Sequence, residues 1–209
     1  MTCRTYCCIL TFIFLLSFNG FTQEKDSTAY QIRFFNKTEG GVSFGLGSFN
    51  TDMVNGVQKK AKNDEIVVAL QTVNGIRYNN RWSLGVSVGA EKWREGWFWP
   101  VYGYLGYNFK RTENTFYANI YVGYGFGTRD STSFYQKGTG AFSMIIGVGY
   151  RMNVAKNIRF GYEVFYKYQA LKTSYYSITT SDTLHSYKQK FDQDIGLNFA
   201  GFKILVDFP

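Results

Sequence analysis

The segment 158–170, IRFGYEVFYKYQA, alternates between two kinds of side chain almost without a break. Successive side chains of an extended strand point to opposite sides, so even-numbered and odd-numbered positions form two separate faces. The odd face carries the charged residues, whereas the even face is apolar or aromatic: Ile158, Phe160, Tyr162, Val164, Tyr166 and Tyr168. This period of two favours a β-strand, because the apolar positions of an amphipathic helix recur every three to four residues.

Eight stretches of the chain show this alternation, and each is long enough for a tilted strand to cross the hydrocarbon layer of a membrane. They are residues 40–50, 64–78, 81–91, 99–110, 115–127, 139–152, 157–170 and 192–208. Closed antiparallel barrels of bacterial outer membranes have an even number of strands, and eight is the smallest number. The pattern therefore predicts an all-β fold, an eight-stranded antiparallel up-and-down transmembrane β-barrel.

The connections between these stretches alternate in length. The short connections are 79–80, 111–114 and 153–156. The long connections are 51–63, 92–98, 130–140 and 171–191. Short periplasmic turns and longer extracellular loops are typical of outer-membrane barrels, so both ends of the barrel domain are expected on the periplasmic side.

The beginning of the chain predicts an export signal. Arg4 precedes the ten-residue apolar run 9–18, which is too short to cross a bilayer as a helix, and a polar segment follows. We expect a signal peptide over 1–22, an N-terminal periplasmic lead-in over 23–38 that could instead extend the first strand, and an outer-membrane β-barrel domain over 39–209. All three cysteines lie in the leader, so neither disulfides nor cysteine-ligated metals are expected in the mature chain.

The formal net charge is +8, which can indicate a nucleic acid or an anionic surface as a partner. The charged residues are scattered along the sequence between loops and alternate strand positions and do not form a run. Solvated loops and internal ion pairs therefore account for them better, and no nucleic-acid partner is expected.

The composition of the two strand faces indicates which face meets lipid. Along 115–127 and 139–152 one face is wholly apolar, whereas the other combines glycine with tyrosine, asparagine or arginine. A water-facing sheet normally carries Lys, Glu and Thr, while glycine marks crowding. The narrow interior of an eight-stranded barrel must accommodate large side chains beside small ones. The glycine-rich face is expected inside and the apolar face in lipid, with a soluble β-barrel that has an aromatic core as the alternative.

Aromatic residues of the apolar face cluster at the ends of the predicted strands. Trp82 follows one short turn, Tyr107 and Phe109 precede another, and Trp97 and Trp99 lie at the opposite end. Tyr and Trp are enriched at both interfaces of a membrane. Their positions favour the lipid-facing interpretation.

With these features the sequence resembles the outer membrane protein beta-barrel domain group, which includes the OmpA/OmpX-type small barrels of Gram-negative bacteria. The segments that carry the resemblance are 36–49, 72–91, 101–109, 116–127 and 145–152. The resemblance implies a location in the cell outer membrane, contact with outer-membrane lipid, and insertion by the barrel assembly machinery. Such barrels commonly end on an aromatic residue, and here Phe208 is followed by Pro209. The group shares a scaffold and no common chemistry.

Charged residues at inward positions are the candidate functional residues. They are Arg77, Glu91, Arg151, Arg159, Glu163, Lys167, Lys203 and Asp207. A buried charge is costly unless it is paired, so we expect a structural network of ion pairs that plugs the lumen. A narrow conduit lined by the same groups is the alternative.

Two motifs imitate enzyme sites. Asp182, His185 and Ser186 lie close together, but on a Ser/Thr-rich loop they lack the rigid scaffold that a nucleophilic triad requires. The glycine-rich segment 123–127 is not followed by a helix, so it lacks the context of a phosphate-binding loop. With one histidine and no cysteine in the mature chain, neither a metal nor another cofactor is expected.

The sequence as a whole favours a non-enzymatic integral outer-membrane protein. Its expected role is a scaffold that presents extracellular loops for surface interaction or envelope integrity, with 171–191 as the main contact surface. An unidentified extracellular or periplasmic protein is the expected protein partner. A narrow channel or small-solute transporter is the first alternative. A membrane-embedded lipid hydrolase is the second.

Overall fold

The structure is a computed structural model that describes residues 32–54, 57–94, 96–112, 114–129, 135–139, 141–180 and 186–208. The expected signal peptide lies outside these residues. The strands are β1 (Ile32–Leu46), β2 (Ser48–Val54), β3 (Val57–Lys62), β4 (Ile66–Tyr78), β5 (Trp82–Trp93), β6 (Gly96–Asn108), β7 (Thr115–Arg129), β8 (Tyr135–Thr139), β9 (Ala141–Ala155), β10 (Ile158–Thr180) and β11 (Ser186–Phe208). In the part of the chain that is described, no helix is long and apolar enough to cross a membrane.

Eight of these strands form a closed antiparallel barrel. The order around it is β1-β4-β5-β6-β7-β9-β10-β11, and β11 pairs back with β1. This closing pair runs from Asn36 opposite Phe208 to Leu46 opposite Asn198. Closure gives every barrel strand two neighbours and leaves the cylinder without an open edge. The predicted eight-stranded up-and-down barrel is confirmed.

The first barrel strand begins earlier than the sequence pattern indicated. Residues 32–38 belong to the segment for which a lead-in and an extension of the first strand were both open, and they lie in β1 and pair with β4 from Ile32 opposite Tyr78 onward. The strand starts early because the side chains of Phe35 and Lys37 are buried in the barrel interior.

Two connections that were expected to be long loops are mostly β-structure. Most of 51–63 belongs to the β2–β3 hairpin, and most of 171–191 belongs to β10 and β11. These two strands stay paired from Ala170 opposite Gly196 to Thr180 opposite Ser186. The composition indicated a loop, but Thr, Tyr and Ile are also strand-forming residues, and pairing with a neighbouring strand decides between the two.

The other two long connections also differ from the expectation. Strand β8 lies within 130–140 and pairs with the extension of β10. The connection 92–98 is a tight hairpin, because β5 continues to Trp93, which pairs with Gly96 of β6. One end of the barrel therefore carries extended hairpins, which we call the hairpin end. The opposite end carries short connections and is called the turn end.

The turn after β4 illustrates the turn end. Asn79 and Asn80 have φ angles of 52° and 54°, and the Arg81 amide donates a hydrogen bond to the Tyr78 carbonyl at 3.1 Å. Asparagine tolerates this left-handed backbone, which matches the twist of paired antiparallel strands. The predicted tight connection at 79–80 is confirmed.

The interior is filled by aromatic side chains and crowded by close backbone approach. One buried cluster comprises Phe35, Val73, Tyr102, Tyr104, Tyr121, Ile145 and Phe165. A Cβ atom at Gly125 would lie only 1.8 Å from a ring carbon of Phe98, so a larger residue has no room there. The glycines of the inward face make space for aromatic rings, as the width of an eight-stranded barrel requires.

Candidate functional site

All eight charged residues that the sequence placed inward are buried within the barrel, none more than 9% exposed. They lie on β4, β5, β9, β10 and β11. Two further charged residues, Lys37 and Glu39 of β1, are also buried. Both precede residue 40, at which the predicted first strand begins. The alternation continues towards the N-terminus through Phe35, Lys37 and Glu39, and this signal includes both residues.

Glu39 is the centre of the interior network. Its carboxylate forms an ion pair with Lys37, and a second with the Lys203 Nζ at 3.3 Å. The Tyr121 hydroxyl donates to it at 2.6 Å, and the Gln71 amide donates as well. Side chains of β1, β4, β7 and β11 thus meet at one carboxylate. The two lysines offset the desolvation of the buried charge.

Glu163 forms a second carboxylate site next to the first. The Asn119 side-chain amide donates to it at 2.6 Å and the Tyr117 hydroxyl at 3.1 Å. Lys203, directly opposite on β11, lies at 3.5 Å and so connects Glu163 with Glu39. A Cβ atom at Gly147 would lie 2.2 Å from a Glu163 oxygen, so this glycine leaves the space that the carboxylate occupies.

Aromatic rings occupy the space between these ion pairs. The Lys37 Nζ lies 4.2 Å from the centre of the Tyr104 ring, and the Lys203 Nζ lies 4.5 Å from the Tyr121 ring. The face of an aromatic ring attracts a cation when water is excluded. The lysines are therefore stabilised by rings as well as by carboxylates.

Asp207 organises the network at the turn end. Its carboxylate binds the Arg77 Nη2 at 2.8 Å and also binds Arg151, which donates in turn to Asn108. Arg159 lies directly opposite Asp207 in the β10–β11 pairing. Three arginines therefore surround one carboxylate, whereas the lysines and glutamates at the centre are equal in number.

Glu91 and Lys167 form the buried ion pair nearest to the hairpin end. The Lys167 Nζ lies 2.5 and 2.7 Å from the two carboxylate oxygens of Glu91, and the Trp93 indole donates to Glu91 at 3.2 Å. Beyond this pair lies an apolar cap of Val67, Leu197 and Phe199, with Phe49, Trp93, Leu171 and Ile195 packed against it. The Trp93 and Phe199 rings meet edge to face at 5.2 Å.

This arrangement holds the barrel strands together across the lumen. Within the described ranges, six buried cations are present with four buried anions, and the excess positive charge lies around Asp207.

The described residues contain no group of three or more His, Cys, Asp or Glu that could hold a metal. Of the residues in the loop motif, Asp182 and His185 lie outside the described residues, and Ser186 begins β11. The glycine-rich segment 123–127 lies within strand β7.

No protein-family model and no curated protein matches this sequence. Among solved structures, the outer membrane protein OprG from Pseudomonas aeruginosa is similar, with a TM-score of 0.50 and 14% identity over 82% of this chain and 94% of that one. The chain has the fold of a small outer-membrane β-barrel. Neisserial surface protein A also matches, with a TM-score of 0.46 and 13% identity over 82% of this chain and 96% of that one. The closer resemblance to OmpA/OmpX-type barrels stays a prediction.

The substitution Glu39→Gln tests the energetic role of the network. It leaves Lys37 and Lys203 buried beside an uncharged amide, and removing one partner of a buried ion pair costs about 3–5 kcal/mol. We expect the free energy of unfolding in detergent micelles, measured by urea titration, to fall by about that much. In the control Asp64→Asn, which removes the exposed ion pair with Arg94 at 3.4 Å, the fall should be at most about 1 kcal/mol. Equal small losses in both variants would contradict a paired interior.

Proposed function

We propose that this protein is a non-enzymatic integral protein of the outer membrane, a closed barrel that presents its hairpin end outside the cell. The observation that carries the proposal is the reversed distribution of polarity. Charged side chains are enclosed, while large apolar side chains cover the outer wall, among them Phe34, Leu70, Leu84, Phe116 and Val164. Soluble monomers rarely expose continuous apolar surface of this extent, whereas a barrel in lipid requires it.

The proposed orientation follows from the connections. Outer-membrane barrels have short periplasmic turns and longer extracellular segments. The turn end would therefore face the periplasm, and the extended β2–β3 and β10–β11 hairpins would stand outside. The expected signal peptide over 1–22 supports export of the chain.

The state of the lumen favours a scaffold over a conduit. The interior ion pairs link strands across the lumen, and the apolar cap lies across it at the hairpin end. Continuous conduction needs a polar path in which ions bind weakly enough to leave. The buried carboxylates are each held by several fixed donors, so they do not offer weak binding sites along a polar path. The transporter alternative therefore requires a rearrangement of this network.

The β10–β11 hairpin is the part of the proposed scaffold that extends farthest beyond the paired barrel. Its strands stay in register over eleven residue pairs, from Ala170 with Gly196 to Thr180 with Ser186. A paired hairpin loses less conformational entropy on binding than a loose loop of equal length. This supports the segment 171–191 as the contact surface for a partner protein.

The substitution Val164→Arg tests whether the outer wall meets lipid. Val164 is 56% exposed near the middle of the membrane-facing part of β10. An arginine at the bilayer midplane costs about 2–4 kcal/mol, falling to about 0–1 near the interface. We therefore expect a large loss of folding free energy in lipid vesicles for Val164→Arg and a small one for Ile158→Arg, which is on the same face near the turn. A neutral effect of Val164→Arg would place this face in water.

Planar bilayer recording tests whether the lumen conducts. Folded protein inserted into the bilayer should produce no steady, reproducible conductance, because the ion pairs and the apolar cap close the lumen. A large-pore barrel inserted under the same conditions provides the positive control. Reproducible conductance steps from the purified protein would contradict the closed barrel and favour the transporter alternative.

Removal of the extended hairpin tests the proposed contact surface. A variant in which residues 174–192 are replaced by a two-residue turn keeps the barrel pairs from Arg159 with Asp207 to Ala170 with Gly196, so it should still fold. We expect intact cells to lose a partner that crosslinks to the full-length barrel. The matched control replaces the β2–β3 hairpin, 48–62, and should keep that partner. A changed lipid composition in cells without the protein, with no such partner, would favour the hydrolase alternative.

A further inference from the structure

The positive charge of this protein is concentrated at one end of the barrel. Among the described residues, the turn end carries eight lysines and arginines and one acidic residue, Asp207. Its cations are Arg33, Arg77, Arg81, Lys110, Arg111, Arg151, Lys156 and Arg159. The described part of the turn end therefore has a large excess of positive charge.

Charges that are scattered along the sequence come to lie at the same end of the folded chain. Strand ends and turns that are far apart along the sequence meet at one rim of the barrel. Arg33 is the second residue of β1, Lys110 and Arg111 follow β6, and Lys156 lies between β9 and β10. These four side chains are exposed, and we call them the basic rim. They are distributed around the circumference and do not form a single patch.

The basic rim lies directly beyond a belt of aromatic side chains on the outer wall. Trp82 contacts Tyr107 with ring centres 4.6 Å apart, and Tyr107 contacts Phe109 with ring centres 5.6 Å apart. Phe116 contacts Tyr150 at 5.0 Å on neighbouring strands. Rings of this kind lie at the depth of lipid headgroups. Cations immediately beyond them lie at the level of lipid phosphates.

The interior adds to the positive field at this end. Arg77 and Arg151 bind the single carboxylate of Asp207, and Arg159 lies opposite Asp207 in the β10–β11 pairing, whereas the central lysines and glutamates balance each other. Charges in a low-dielectric wall are screened less than charges in water. The excess positive charge of the buried arginines at the turn end therefore strengthens the attraction of anions to the basic rim.

We propose that the basic rim binds the headgroups of anionic phospholipids in the leaflet that borders the turn end. The proposal rests on the proposed membrane-spanning function. Arginine and lysine donate charge-assisted hydrogen bonds to phosphate oxygens, and cations near an anionic membrane surface add to binding individually. A ring of cations around an apolar wall fits a lipid shell. It does not form the groove or stripe that tracks a linear anionic polymer.

A lipid-binding titration tests the proposal. Full-length protein folded in zwitterionic detergent is titrated with fluorescent phosphatidylglycerol and, separately, with fluorescent phosphatidylcholine. The rim variant is Arg33→Gln/Lys110→Gln/Arg111→Gln/Lys156→Gln. The matched control, Lys60→Gln/Lys62→Gln/Lys92→Gln/Arg94→Gln, removes four exposed cations from the hairpin end. Folding of each variant is verified beforehand by its heat-dependent mobility on gels.

We expect phosphatidylglycerol to bind the natural chain and the control more tightly than phosphatidylcholine does. The affinity of the rim variant for phosphatidylglycerol should be at least tenfold lower than that of the natural chain, since each cation near an anionic surface contributes about fivefold. High salt should reduce the difference. Equal losses in the control and the rim variant, or equal affinity for the two lipids, would overturn the proposal. Competition by soluble glycerol phosphate at the same concentration as the lipid would also overturn it, because the ligand would then be the free phosphate.

Insertion into vesicles separates this proposal from the function on which it rests. A natural chain that folds into phosphatidylcholine vesicles but shows no lipid preference would overturn only the role of the basic rim. A chain that folds into no vesicle, with or without phosphatidylglycerol, would contradict the membrane-spanning function itself.

Discussion

The burial of the Glu39 carboxylate is the interaction on which the interior of this barrel depends. An ionised carboxylate without partners would not be stable in a narrow lumen that excludes water, because its desolvation costs several kcal/mol. Glu39 is tolerated because lysines, an amide and a phenol donate to it from β1, β4, β7 and β11. Each donor requires its strand to lie at a defined height and angle. Satisfying one charge therefore fixes the relative positions of half of the strands.

The rest of the molecule follows from the division between this interior and the outer wall. Lipid offers no hydrogen bonds, so polar groups of the membrane-crossing part must find partners inside. Glycines admit the rings and carboxylates that fill the lumen, as Gly125 does for Phe98 and Gly147 for Glu163. The result is a cylinder whose interior gives rigidity and whose two ends remain for contact with the surroundings.

Much of this architecture could be predicted from the sequence, because a period of two encodes both the strand and its two faces. The alternation around Glu163 and Lys167, for example, was sufficient to place both side chains inside. Their partners were not predictable, because the register that sets Lys203 opposite Glu163 and brings it to Glu39 is fixed only when the strands pair. The extended hairpins were missed because Ser- and Thr-rich segments suit a loop or a strand equally until a neighbour pairs with them. The concentration of cations at the turn end arises from closure and has no signature along the chain.

The closing pair also bears on the order in which this chain can assemble. Glu39 lies near the beginning of the barrel domain, and Lys203 follows it 164 residues later. Contacts between such distant positions form late, because the loop between them must be closed first. Until the last strand pairs, Glu39 has Lys37 of its own strand as an ion-pair partner but lacks Lys203. Completion of the cylinder therefore supplies the second cation of the central carboxylate, and a partly built barrel gains little by entering the membrane early.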